Sequence, residues 1–256
     1  MTADLRTAYE AAAGAWAAGP ERVYAPLARA LVLAAPVPVT GRRVLDLGAG
    51  TGVAGRAALA AGADRVVSAD LAVAMLRRTG PAQHPVAADA AALPFRDRAF
   101  DLVVAAFCLN HLDRPGDVLG EIRRVSHGLA ASTFAPGWAH PAKPAVDQAL
   151  RPFGYQPPAW YESMKREGGP AGPDPGLLGD QAAGAGFTGV RVRTITVRTG
   201  VSAPAELASW RLGLAHVAPF LQSLAPAAQA AARRAAELAV AGTGPLIVPM
   251  LVLTAW

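Results

Sequence analysis

Cysteine is almost absent: Cys108 stands alone in 256 residues. That excludes an intramolecular disulfide and a cysteine metal cluster, and it makes a reducing cytoplasm the expected compartment. Charge is sparse as well, at 17% of the chain, and no Lys/Arg run exceeds a pair such as Arg42-Arg43, Arg77-Arg78 or Arg123-Arg124. The net charge of +5 is therefore dispersed, and a nucleic-acid partner is not expected. The five histidines, His84, His111, His127, His140 and His216, are scattered without metal-ligand spacing, so no metal is expected. The opening Met-Thr-Ala-Asp-Leu-Arg lacks the apolar stretch of a signal peptide. The one uncharged stretch of membrane-like length, 238–256, is broken by Gly242, Gly244, Pro245 and Pro249 and reads as a turn and a buried strand, so no membrane partner is expected either. What remains plentiful is apolar side chain, 52% of the chain, enough to bury the core of one large domain.

Residues 7–33 are alanine-rich, with aromatics at Tyr9, Trp16 and Tyr24, and the Gly19-Pro20 break predicts two helices. After a linker marked by Pro36, Pro38 and Gly41, short apolar runs alternate with helical segments. Strands are expected at 43–47, 65–69, 86–88, 100–107 and 129–134, with helices after Val53, after Leu71 and over 115–125. Such alternation implies right-handed crossovers and a parallel sheet covered on both faces. The Pro- and Gly-rich stretch 135–186 reads as surface-lying and irregular, with short helices at most. An edge strand is expected at 190–197, a helical insert at 204–241 and a last apolar strand at 246–253.

The densest signal is Val44-Leu45-Asp46-Leu47-Gly48-Ala49-Gly50-Thr51-Gly52, a buried strand running into a glycine turn and a helix. Glycines there allow close backbone approach to a ligand, and the helix start offers free N–H groups. Asp70 and Asp89 end the next two strands, so three successive strands each deliver an aspartate to the carboxyl edge of the sheet, where open α/β sheets bind ligands. Gly50 to Gly55 alone is a weak match to a dinucleotide fingerprint, and glycine after a strand is common in ordinary turns.

Taken together, this loop, Ala69-Asp70-Leu71 with Met75-Leu76, Ala88-Asp89-Ala90 with Leu93-Pro94-Phe95, and Phe100-Asp101-Leu102-Val103-Val104 leading to Asn110-His111-Leu112 resemble class I S-adenosylmethionine-dependent methyltransferases. The likeness is to the small-molecule group that includes the ubiquinone and menaquinone biosynthesis enzymes, closely over about residues 40–135. It implies a doubly wound α/β fold with a mostly parallel seven-stranded sheet, an N-terminal helical lid over 1–38, a cofactor-binding core over 40–135, and substrate-cap segments at 136–186 and 199–244 of a single domain. It also implies S-adenosyl-L-methionine as cofactor and S-adenosyl-L-homocysteine as product. Gly48, Ala49, Gly50 and Gly52 would approach the methionine part, with Asp46 orienting the loop or the amino group. Asp70 would hold the ribose hydroxyls, Leu71 and Met75 would pack the adenine, and Asp89 with the Ala90 backbone would read its edge. Phe107 would lie under the sulfonium, and Tyr9 and Trp16 would close over the cofactor. Two departures from the family pattern are Ala72, where relatives often carry serine, and a short Ser126-His127-Gly128 before the fifth strand.

The reaction implied is in-line methyl transfer to O, N or C of a small-molecule acceptor, with a secondary metabolite as one expectation and a monomer or homodimer as the working form. The protein must then mainly align the acceptor and exclude water. His111, just past the fourth strand, is a candidate base on the strength of an ordinary near-neutral imidazole pKa. Trp138, Trp160, Tyr161, Trp210, Arg211 and His216 are candidates for the acceptor pocket, and Cys108 reads as a small buried filler. Two rival readings stand beside this one. One is a cofactor-binding relative that transfers nothing. The other is an NAD(P)-dependent oxidoreductase, for which Tyr161 and Lys165 fit a Tyr-x-x-x-Lys pair but in the wrong context.

Overall fold

A computed structural model describes residues 3–112, 115–167 and 174–256. Two helices, α1 (Ala3–Ala18) and α2 (Pro20–Leu33), precede the sheet. The wound core follows as β1 (Arg43–Leu47), α3 (Val53–Ala60), β2 (Arg65–Asp70), α4 (Val73–Leu76), β3 (Gln83–Ala87), β4 (Phe100–Ala106), α5 (Pro115–Val125) and β5 (Ser126–Phe134). Three helices, α6 (Ala142–Leu150), α7 (Ala159–Glu167) and α8 (Pro175–Gly184), lead to β6 (Arg191–Arg198). A second helical group, α9 (Pro204–Leu212), α10 (Ala218–Ser223) and α11 (Pro226–Ala239), leads to β7 (Ile247–Ala255).

The seven strands form one sheet in the order β3-β2-β1-β4-β5-β7-β6, and β7 alone runs against the others. The central strands β1, β4 and β5 are mostly apolar because both faces of the sheet are covered. On one face Val44, Leu102, Val104 and Val252 meet α2, α3 and the α6, α9 and α11 group, and on the other Leu45, Val103, Leu129 and Leu253 meet α5 and α8. The order reverses between β1 and β4, and a doubly wound sheet opens a crevice at such a switch. Arg43 ties these two strands at the opposite end, its backbone N–H and guanidinium both donating to the Asp101 carboxylate.

Three sequence expectations need correction. The third strand is Gln83–Ala87 rather than 86–88; Pro85 lies inside it, which is tolerated because β3 is an edge strand with one side free of ladder hydrogen bonds. Residues 126–128 are not a turn before the fifth strand but its first residues, so α5 passes directly into β5. The stretch 135–186 is not irregular: it holds α6, α7 and α8, and Val146, Leu150 and Tyr155 are buried, so its prolines and glycines punctuate helices. The edge strand is where expected, and Arg191, Arg193 and Arg198 keep its exposed positions charged, which discourages further strand pairing.

Candidate active site

The carboxyl ends of β1, β2, β3 and β4 open on one cavity of about 1000 Å³, counting the solvent space at its mouth. It is lined by the β1–α3 loop (Gly48, Ala49, Gly50 and Thr51), by Asp70, Leu71 and Met75 after β2, and by Ala88, Asp89 and Ala90 after β3. Its walls also include Phe107, Cys108, His111 and Leu112 after β4, with Tyr9 and Trp16 from α1 and Tyr24 from α2. Helix α1 is seated by Met75 and Ala72, which pack with Ala13, Tyr9 and Trp16, and by Glu10, whose carboxylate accepts from Val73 N at 2.6 Å and Ala74 N at 2.7 Å.

The loop is bound to Asp70 through its backbone. Gly50 N donates to Asp70 Oδ2 and Ala72 N to Oδ1, each at 2.8 Å, so the carboxylate is fixed at the cavity wall and keeps lone pairs for a ligand. Burial raises its pKa, and the backbone donors act against that rise. Gly50 has φ +54° with no atom within 4 Å of where a Cβ would stand, which leaves its backbone open to the cavity. Asp89 Oδ1 accepts from Ala91 N at 2.9 Å. Thr51 Oγ1 is buried and has no hydrogen-bond partner among the described residues, an orphaned polar atom on the cavity wall.

Asp46 and Gly52 belong to the loop but do not line the cavity. Asp46 is 1% exposed and accepts from Gly55 N at 2.7 Å, so it braces the start of α3 from behind, and burial pushes its pKa up to about 7. Phe107 ends β4 at φ +55°, a conformation costly for a bulky residue. It is held by a hydrogen bond from its N–H to Ser132 O at 2.9 Å and by ring contacts to Tyr24 at 5.2 Å and Phe134 at 4.6 Å.

His111 Nε2 lies 3.2 Å from the Tyr9 hydroxyl and Nδ1 3.2 Å from Met164 Sδ. Its near-neutral pKa, the reason for reading it as a base, does not survive folding: burial lowers it to about 4. The imidazole is uncharged at neutral pH and its conjugate acid is strong, which makes it a poor acceptor of a hydroxyl proton. Between pH 6.5 and 4 the unfolded chain binds a proton that folded His111 refuses, so its contribution to stability falls as the pH falls through that window. Asp46, protonated in the fold up to about pH 7, acts in the opposite sense. His111→Gln is therefore expected to flatten the acid-side loss of Tm relative to the wild type, and parallel melting curves between pH 4 and 7 for the two proteins would rule this out.

None of Trp138, Trp160, Tyr161, Trp210, Arg211 and His216 lines this cavity. They form the cap behind it. Tyr161 stacks on His216 at 3.7 Å and 5°, Trp160 packs edge-on against both, and Arg211, 2% exposed, holds Asp147 through two nitrogens at 2.7 to 3.0 Å with Tyr161 Oη at 3.4 Å. Trp138 stacks on Phe134 and meets Trp210, so a chain of ring contacts runs from Tyr9 through Trp16, Tyr24, Phe134 and Trp138 into the cap.

Residues 45–128 match the methyltransferase domain family. Over 171 residues the chain is 34% identical to the demethylmenaquinone methyltransferase of Mycolicibacterium paratuberculosis, covering 61% of this chain and 72% of that protein. The chain belongs to the class I S-adenosylmethionine-dependent methyltransferases. Two solved structures share the fold of this methyltransferase. A putative methyltransferase from an antibiotic biosynthesis pathway of Anabaena variabilis aligns at TM-score 0.61 and 16% identity, over 93% of this chain and all of that one. Phosphoethanolamine N-methyltransferase 2 of Haemonchus contortus, bound to S-adenosylhomocysteine, aligns at TM-score 0.55 and 17% identity, over 90% of this chain and 52% of that one. The methyltransferase takes S-adenosylmethionine as its cofactor and acts on a small molecule, which removes the oxidoreductase reading. Tyr161 of the rival pair is engaged by His216 and Arg211, and the side chain of Lys165 lies outside the described residues. Among the described residues no helix is long and apolar enough to cross a membrane.

The sequence reading of the methyltransferase site left out Thr51 and Tyr24. Thr51 sits inside the quoted glycine motif, so its place in the loop was a usable signal; Tyr24 lies far from every motif and is brought in only by the packing of α2.

Proposed function

We propose that the chain transfers the methyl group of S-adenosylmethionine to O, N or C of a flat or hydrophobic small molecule, a secondary metabolite in the cytoplasm being the intended acceptor, and that it works as a monomer or homodimer. The observation that carries this reading is one cavity lined both by the glycine loop with Asp70 and Asp89 and by the rings of Tyr9, Trp16, Tyr24 and Phe107. A nucleoside with an ammonium tail and an apolar acceptor can share that space with their reacting ends facing each other.

The donor set fits the cofactor. In this reading Asp70 accepts from the ribose diol, Leu71, Met75 and Ala90 pack the adenine, and Asp89 with the Ala90 backbone meets its edge. Gly48, Ala49 and Gly50 lie along the methionine part with the Thr51 hydroxyl as one more partner, while Asp46 and Gly52 shape the loop from behind. Bound S-adenosylmethionine supplies an electrophilic methyl group on a good leaving group. The chain's own work is alignment and exclusion of water: residues 1–38 lie over the cavity as a lid, 40–135 form the cofactor core, and 136–186 and 199–244 close the acceptor side. His111 holds the Tyr9 hydroxyl, and so the lid, rather than taking the acceptor's proton.

Calorimetric titration with S-adenosylmethionine and S-adenosylhomocysteine, with NADP as control, tests the reading. Micromolar binding of both sulfur nucleotides and none of NADP is expected, followed by turnover with a metabolite extract. Tight cofactor binding with no methylated product from any extract would favour the scaffold reading instead.

A further inference from the structure

The Tyr9 hydroxyl is paired with His111, and the Cys108 thiol is kept protonated by burial, which pushes its pKa up to about 12. Tyr24 differs. Its ring is clamped by Trp16 at 5.1 Å and 31° and meets Phe107 edge-on at 5.2 Å and 90°, yet its hydroxyl has no hydrogen-bond partner among the described residues while lining the cavity. The half-buried phenol, fixed by aromatic rings and engaged by no acceptor among the described residues, can exchange water for a ligand atom placed opposite it. Burial and the nearby Tyr161 hold its pKa above the ordinary tyrosine value, against the influence of Arg211, so it stays a neutral O–H donor at any working pH.

We propose that Tyr24 is the specificity-determining residue for the acceptor, donating a hydrogen bond to an oxygen or nitrogen on a planar apolar molecule seated in the cavity against the wall formed by Trp16, Tyr24 and Phe107. This rests on the methyl-transfer reading above and names the chemistry its acceptor must carry. Apolar walls alone discriminate weakly between molecules of one shape, whereas a fixed polar partner rejects analogues that lack its counterpart. The rings of Trp16, Phe107 and Phe134 orient the Tyr24 side chain so that its hydroxyl is presented without loss of rotamer freedom on binding.

The test uses the full chain saturated with S-adenosylhomocysteine, which permits no turnover, and two flat probes, 1-naphthol and naphthalene. Their Kd ratio is measured in the wild type and in Tyr24→Phe, which keeps the ring and its packing. A preference for 1-naphthol is expected in the wild type and should fall about five- to tenfold in the variant, the size of one neutral hydrogen bond, with the Kd for S-adenosylhomocysteine and the Tm unchanged. An equal ratio in the two proteins overturns the assignment, as does failure of the wild type to bind either probe. Failure of the methyl-transfer reading is seen separately, as loss of binding of the sulfur nucleotide itself.

Discussion

Asp70→Ala is expected to raise the Kd for S-adenosylhomocysteine about a hundredfold while leaving a folded protein. Two contributions act together. In the proposed reading the carboxylate offers the ribose diol charge-assisted hydrogen bonds, each contributing about 1.5 to 3 kcal/mol when desolvated. It also anchors Gly50 N and Ala72 N, so its loss frees the glycine loop and the start of α4 at once. About 3 kcal/mol of lost affinity is then a low figure, and it converts to roughly a hundredfold in Kd. The fold itself should survive, because Asp70 sits at a cavity wall where water can reach the released N–H groups, and because removing a partly desolvated carboxylate also removes its burial cost. Asp70→Asn should fall between the two proteins: one amide oxygen replaces one carboxylate oxygen, while the NH₂ confronts a backbone N–H. Calorimetry with S-adenosylhomocysteine, controlled by a melting curve, reads all three. An unchanged Kd in the alanine variant would remove Asp70 from the site.

The strand-end part of the candidate site was legible because it is local. A buried strand, a glycine turn and an aspartate at the next strand's end are each a short pattern, and the winding of a parallel sheet brings successive strand ends to one edge whatever the rest of the chain does. Asp70, Asp89, Gly50 and Met75 could therefore be named from spacing and family likeness, and the fold places them around one cavity. The acceptor half was not legible for the opposite reason. Tyr24 reaches it through the packing of α2 against β4 and β5, and Trp138, Trp210 and Arg211 are turned into a ring-stacked cap by contacts between α6, α9 and α7. Such contacts join residues from 50 positions apart, as Tyr161 and Arg211, to the longer separation between Tyr24 and Phe134, and leave no periodic trace, so an aromatic that faces a ligand and one that fills a core look alike in the sequence. The helices of 135–186 were hidden differently. Pro141, Pro158 and Pro175 stand before or at the starts of α6, α7 and α8, where a missing N–H costs nothing, and so they mark beginnings rather than disruption. The His111 pKa follows from desolvation, which residue type alone does not reveal.

Gly48→Ala is expected to destabilise the protein by about 2–4 kcal/mol, and Gly50→Ala, two residues along the same loop, by only about 1 kcal/mol. Both glycines have positive φ, +65° and +54°, so the strain of placing an L side chain in the left-handed region is common to both. What differs is the space. A Cβ on Gly48 would stand 2.5 Å from Cys108 Sγ and 2.8 Å from Cys108 Cβ, whereas on Gly50 it would meet nothing within 4 Å. The first variant must push the end of β4 away from β1, and because Phe107 and Cys108 lie at that end it distorts the cavity as well as the fold. The second leaves the fold almost intact but puts a methyl group where the proposed reading lays the cofactor along the loop, so its loss of S-adenosylmethionine affinity should exceed its loss of stability. Chemical denaturation and calorimetry on the two variants separate these outcomes. Cys108→Ala in the Gly48→Ala background supplies the decisive comparison: deleting Sγ removes the nearer of the two collisions and leaves the Cβ contact and the φ strain, so part of the lost stability should return. If the double variant is no more stable than Gly48→Ala alone, the collision with Cys108 Sγ is not what requires glycine there, and the Cβ contact and left-handed strain would have to account for the whole effect.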